Sequence, residues 1–126
     1  MTAALPVDAA ARKATPIFSG VLNYFPLAIA EIARASKAGN DQHNPGQPLH
    51  WDRTKSLDHA DCIARHLLEH GTIDGGDGQR HSAKMAWRAL ALLQTELEAA
   101  EAAAAASKVR KRTLDELRDQ AVARPF

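Results

Sequence analysis

Apolar residues along this chain recur at helical spacing, and β-branched residues are sparse. The clearest pattern runs from Leu57 to Leu93, where two helical segments flank a Gly-rich turn. In the first, from about Thr54 or Ser56 to Gly71, Ala60, Ile63, Ala64, Leu67 and Leu68 gather on one side at 100° per residue. Asp58, Asp61, Cys62, Arg65 and Glu69 lie opposite, with His59, His66 and His70 along the border. Ser56 suits the N-cap, and Asp58 suits the first turn. The second segment runs from about Arg80 through Ala106. One stripe holds Ala83, Ala86, Leu90, Leu93 and Leu97; another holds His81, Met85, Arg88 and Leu92, so burial on two sides is expected.

Upstream, Pro26 opens a helix in the position where its missing N–H costs nothing. That helix is expected to run to Lys37 and stop at Gly39-Asn40, with Ile29, Ile32, Ala33 and Ser36 as its stripe and Glu31 off it. Residues 40–53 read as an irregular connection, long enough to be functional. Residues 1–15 read as a loose arm with helical tendency at Asp8–Lys13, and 107–126 as a charged helical tail ending in a frayed terminus. The expected architecture is all-α: a small bundle over 16–106 with a central helical hairpin and a long Ala-rich helix.

Composition narrows the class. The chain has 126 residues, enough for one domain with a modest core. Alanine and leucine dominate the apolar set, which favours helix over sheet. A net charge of +1 does not point to a nucleic-acid polymer or an anionic membrane. No run approaches the roughly 20 apolar residues of a membrane span, and the start of the chain does not read as a signal peptide. The single cysteine, Cys62, excludes an intrachain disulfide and suits a reducing, cytoplasmic setting. A spare apolar stripe on a bundle this small suggests a homo-oligomer, a dimer or tetramer.

The candidate chemistry lies in the hairpin, which holds four of the six histidines and three arginines. Asp58, Asp61 and Glu69 share one face with Arg65. They suit a hard, oxygen-seeking cation such as Mg²⁺, although spacing alone favours a solvated face with Asp61–Arg65 and Arg65–Glu69 pairs. His66-x-x-Glu69-His70 matches a short zinc-protease pattern, but that match is weak and wants a third ligand downstream. A hairpin of this length brings the end of one helix beside the start of the next, so His66, Glu69, Asp74 and His81 are expected to converge. Asp74-Gly75-Gly76-Asp77-Gly78 is neither a phosphate loop nor a full Ca²⁺ loop. Cys62, between acids, does not suit a thiolate nucleophile. Trp51 reads as a packing anchor or as one wall of a base pocket.

Four pieces together carry a family resemblance. They are FPLAIAEIARAS with Glu31, GQPLHW, ARHLLEHGTID with Arg65, His66 and Asp74, and RHSAKMAWRALALL with His81 and Trp87. In order and spacing, over roughly Pro16–Leu97, they resemble the phage-associated N-terminal domain of dATP/dGTP diphosphohydrolases. More distantly, the chain is similar to MazG-like all-α nucleotide pyrophosphohydrolases, which hold Mg²⁺ on E-x-x-E and E-x-x-D carboxylates. This chain departs from that pattern: Ala28 and Arg34 stand three residues either side of Glu31, Asp58-x-x-Asp61 is the nearest substitute, and histidines stand where acids are expected.

The resemblance implies hydrolysis of a nucleoside triphosphate to monophosphate and pyrophosphate, with purine deoxynucleotides favoured and Mg²⁺ or Mn²⁺ as cofactor. Glu31, Asp58, Asp61, Glu69 and Asp74 would be its metal ligands. Glu31, His66 and His81 would be catalytic, and Lys37, Trp51, Arg65 and Arg88 would hold the substrate. The expected compartment is cytoplasmic, the host's if the chain is phage-encoded. The rival expectation is a non-enzymatic, oligomerising phage accessory or assembly protein.

Overall fold

The computed structural model describes residues 5–55 and 57–123. It is all-α: α1 (Ala9–Lys13), a π-helical turn at Phe18–Leu22, α2 (Pro26–His43), a 3₁₀ turn at Arg53–Lys55, α3 (His59–Leu68) and α4 (His81–Ala123). The chain forms two compact units that part between Arg88 and Ala89, inside α4. The first holds every element up to the opening two turns of α4. The second is the remainder of α4, which runs unbroken through the alanine-rich stretch because alanine has the highest helix propensity. Among the described residues, no single helix is long and apolar enough to cross a membrane.

Asp8 caps α1 by accepting from the amides of Ala10 and Ala11. Pro26 opens α2. That helix does not stop at Gly39-Asn40; it continues to His43. Asn40 is the reason. Its buried side chain donates through Nδ2 to the Gln47 carbonyl at 3.2 Å and accepts from the His50 amide at 3.2 Å. Those bonds pin the returning connection against the last helical turn, and the left-handed glycine comes later, at Gly46.

Two further expectations are corrected. α3 begins at His59 after Asp58, not at Thr54 or Ser56, and Ser56 lies outside the described residues. Asp58 makes no capping hydrogen bond, and its carboxylate faces Arg88 instead. The face of α3 that turns inward is also not the apolar one. His59, Cys62 and His66 are buried, whereas Leu67 is 51% and Leu68 86% exposed. The spacing i, i+3, i+7 is still that of one helix face. That face meets the start of α4, where His81 and Arg88 offer polar partners to His66 and His59. On α4, Ala83 is buried as its stripe implies, but Leu90, Leu93 and Leu97 are each more than half exposed.

Asn40→Ala removes two hydrogen bonds that join α2 to the connection, and should cost about 1–2 kcal/mol in urea unfolding. Asn40→Asp keeps the acceptor for the His50 amide but sets a carboxylate oxygen against the Gln47 carbonyl in a buried place, and should cost at least as much as Asn40→Ala.

Candidate functional site

The site is built by the Gly-rich turn. Gly71, with φ of 84°, turns the chain three residues beyond the end of α3, and Gly78, with φ of 73°, closes the turn. The Asp74 amide donates to the Gln79 carbonyl at 2.8 Å, and the Gly78 amide to the Asp74 carbonyl at 2.8 Å. An isolated antiparallel bridge joins Ile73 to Arg80. Both turn carboxylates converge on the Lys84 ammonium, with Asp74 Oδ2 2.7 Å away and Asp77 beside it. The turn is therefore fastened to the first turn of α4, which sets where His81 lies.

His81 thereby meets the last turn of α3. His66 Nδ1 and His81 Nδ1 are 2.9 Å apart, and Glu69 Oε2 is 3.5 Å from His81 Nδ1. Ligand atoms of all three lie within 4.8 Å of one another. The two imidazoles are nearly buried, at 9% and 7% exposure, while Glu69 is exposed. Burial, followed by the neighbouring His81, Arg65 and Lys84, pushes the His66 pKa down, with Asp74 opposing. His66 is thus held toward its neutral form, the form that can ligate a metal.

Next to this trio lies a cleft of about 700 Å³ within the first unit. Its walls come from the C-terminal half of α2, the connection with His50 and Trp51, the Asp58–Cys62–Arg65–His66 side of α3, and Asp77, Lys84, Trp87 and Arg88. Trp51 packs edge-to-face on Trp87 with ring centroids 5.6 Å apart, and the Arg53 guanidinium lies 4.0 Å over the Trp51 ring. Trp51 Nε1 is buried with no hydrogen-bond partner among the described residues. Arg88 Nη1 reaches Asp58 Oδ1 at 3.4 Å and His59 Nδ1 at 3.3 Å. Arg65 lines the cleft with its Nη2 3.5 Å from Cys62 Sγ.

Of the residues singled out from sequence, His66, Glu69 and His81 come together, and Trp51, Asp58, Arg65 and Arg88 line the cleft with His66. Asp74 sits close by but is committed to Lys84. Glu31 pairs with Arg34 and Lys37 with Asp41, each along α2 and outside the cleft lining; Asp61 is exposed on α3. The five carboxylates expected to form an oxygen shell are therefore not gathered in one place. The donor set that does converge is two imidazoles and one carboxylate, which fits a divalent ion of the Mn²⁺ or Zn²⁺ kind.

Lys84, Asp77, His59 and Asn40 do not stand out as site residues from sequence alone. Lys84 carries a usable signal: it follows His81 by three and precedes Arg88 by four, so all three share a helical face. Burial pushes Asp77 up, but Lys84 and the Gln79 amide outweigh it and hold it below the usual range. Burial likewise lowers Lys84, and the two carboxylates outweigh that and raise it. The Lys84 ammonium and the Gly76 amide hold Asp74 down at about 2.

This last shift has a sign. A carboxylate whose folded pKa lies below its unfolded value stabilises the fold above the unfolded value, and that contribution is lost as pH falls. For Asp74 the window runs from about 3.8 down to about 2. The wild-type chain should lose stability across that interval in pH-dependent thermal melts. Asp74→Asn should be less stable at neutral pH and show a shallower acid slope.

No curated protein and no solved structure matches the chain. One family does, that described as "dATP/dGTP diphosphohydrolase, N-terminal", over residues 8–105. That span takes in α1 through the part of α4 that carries His81, together with the His–Glu trio and every cleft-lining residue. The chain therefore belongs to the dATP/dGTP diphosphohydrolase N-terminal family.

Proposed function

We propose that this chain hydrolyses purine deoxynucleoside triphosphates, dATP or dGTP, to the monophosphate and pyrophosphate with the help of a divalent metal ion. The observation that carries the reading is His66. It belongs both to the trio of metal-capable side chains and to the wall of the cleft. Membership of a family described by that activity supports it.

His66, Glu69 and His81 would hold the ion, whose positive charge polarises a phosphoryl oxygen and helps activate water. The chain's own residues do the rest. Arg65 brings fixed positive charge to the cleft that receives the triphosphate, where such charge stabilises the transition state best, and Arg88 adds to it on exchanging Asp58 for a phosphate oxygen. Lys84 stands in the same wall but is neutralised by Asp74 and Asp77, so its role is to position the turn. The Trp51–Trp87 pair gives an apolar wall for a base. Stacking on the face of Trp51 that Arg53 covers requires the guanidinium to leave it. Water adds at the α-phosphorus, the bond to the bridging oxygen breaks, and pyrophosphate leaves.

We also infer that the chain works as a homo-oligomer. In the first unit only Cys62 and Ala83 are buried among the apolar side chains described, while Phe18, Tyr24, Phe25, Leu27 and Leu68 are more than half exposed. So small an apolar core stabilises a lone chain poorly, and a second copy presenting the same surface would cover what one leaves bare. Sedimentation should give a dimer or tetramer, and Phe25→Glu with Leu27→Glu should shift it toward monomer. A wild-type chain that sediments as a folded monomer at micromolar concentration refutes the inference.

A non-enzymatic role draws support from the ion-paired state of Asp58, Asp74 and Asp77, which leaves them serving the fold. Pyrophosphate release decides between the readings. Incubation with dATP and dGTP and added Mn²⁺ should release pyrophosphate; chelator should abolish it, and His81→Ala should cut it at least tenfold. A folded, metal-replete protein that releases none from any deoxynucleoside triphosphate is not this enzyme.

A further inference from the structure

The resemblance implies a hard ion on carboxylates, but the geometry points to a different ion chemistry. We propose that His66 Nδ1, His81 Nδ1 and Glu69 form a three-ligand site for a borderline first-row ion such as Zn²⁺ or Co²⁺, and that the site discriminates against Mg²⁺. The proposal rests on the metal-site part of the functional reading and not on hydrolysis itself.

Three observations support it. The first is spacing. Two donors about 2.0–2.1 Å from one ion stand about 2.9–3.4 Å apart at right-angled to tetrahedral geometry. His66 Nδ1 and His81 Nδ1 are 2.9 Å apart, and His81 Nδ1 and Glu69 Oε2 are 3.5 Å apart. Glu69 is exposed and free to rotate, and its ligand atom lies within 4.8 Å of both imidazoles. The second is ligand type. Two nitrogen donors and one carboxylate are a common catalytic zinc set that leaves a coordination position open, whereas Mg²⁺ takes oxygen donors and keeps its waters. The third is competition. Asp58 is bound to Arg88, and Asp74 and Asp77 to Lys84, so the nearby carboxylates that would build an oxygen shell are already satisfied by cations.

Without an ion, the two imidazoles satisfy each other: one Nδ1 donates and the other accepts. Ion binding requires both Nδ1 lone pairs, so the shared proton must leave that position and both rings must carry hydrogen on Nε2. The site is thus built from two side chains that a purely structural pair would hold equally close, and only binding separates the two roles.

The test uses tag-free, chelator-stripped protein titrated with Co²⁺, whose visible d–d absorption reports coordination geometry. A one-to-one band of tetrahedral intensity is expected. Stoichiometric Zn²⁺ should abolish it, and a hundredfold excess of Mg²⁺ should leave it in place. Glu69 is exposed, so Glu69→Gln should fold normally and weaken Co²⁺ binding by about tenfold or more. His81→Ala, checked for its helical signal, should abolish the band. No band, a band unchanged in Glu69→Gln and His81→Ala, or displacement by Mg²⁺ each overturns the proposal. If the band appears as described while dATP and dGTP remain intact, the metal site stands and the hydrolytic reading falls. If Mg²⁺ alone supports turnover and no Co²⁺ band forms, hydrolysis stands and the three-ligand site falls.

Discussion

The first unit depends on one ammonium. Lys84 draws Asp74 and Asp77 to the first turn of α4, and so closes a turn that three glycines would otherwise leave free. All three groups are partly shielded from water, so the attraction is worth more than that of a surface pair, and each carboxylate also accepts a backbone amide within the turn. Once the turn is fixed, the start of α4 has a set position against the end of α3. The approach of His66 to His81 follows from that position. Charge pairing in the turn and the approach of the two histidines in the hairpin are therefore one construction: the first sets the frame in which the second can occur.

The histidine face of α3 is the other half of that construction. Burying imidazoles is unfavourable unless they are hydrogen-bonded. Here His59 meets Arg88, and His66 meets His81. The helix thereby turns its polar side inward and leaves Leu67 and Leu68 to the outside, an inversion of the usual arrangement. Such an inversion is stable only if the outward leucines are covered in some other way or the inward polar groups are fully partnered. The buried imidazoles of His59 and His66 each have one such partner, Arg88 and His81.

Much of this is legible in the residues. Helical spacing, the alanine-rich run and the glycine turn give the all-α class, the hairpin and the meeting of His66, Glu69 and His81, because these rest on local propensity and on the length of a turn. The run of the family's pieces from Phe25 to Leu93 is legible too. What escapes depends on contacts distant in sequence. Gly39-Asn40 carries a stop signal, yet Asn40 finds Gln47 and His50 and the helix continues. A helical wheel sorts by polarity and so places Leu67 and Leu68 inside; it has no way to register that His81 waits across the turn. Asp74 looks like a ligand because its partner, Lys84, is ten residues away and on the next helix. Of the acidic side chains that read as metal ligands from type alone, Glu31, Asp58 and Asp74 stand beside cations of their own, Arg34, Arg88 and Lys84.

The two tryptophans of the chain, Trp51 and Trp87, stand against each other in the wall of the cleft. One indole N–H there is buried without a partner among the described residues, and a guanidinium covers one ring face. Near-ultraviolet emission from this protein therefore arises almost wholly at one place. Whatever enters the cleft, displaces Arg53 or reaches that N–H changes the surroundings of both fluorophores at once. The molecule carries its own optical reporter, set in the wall of its cleft.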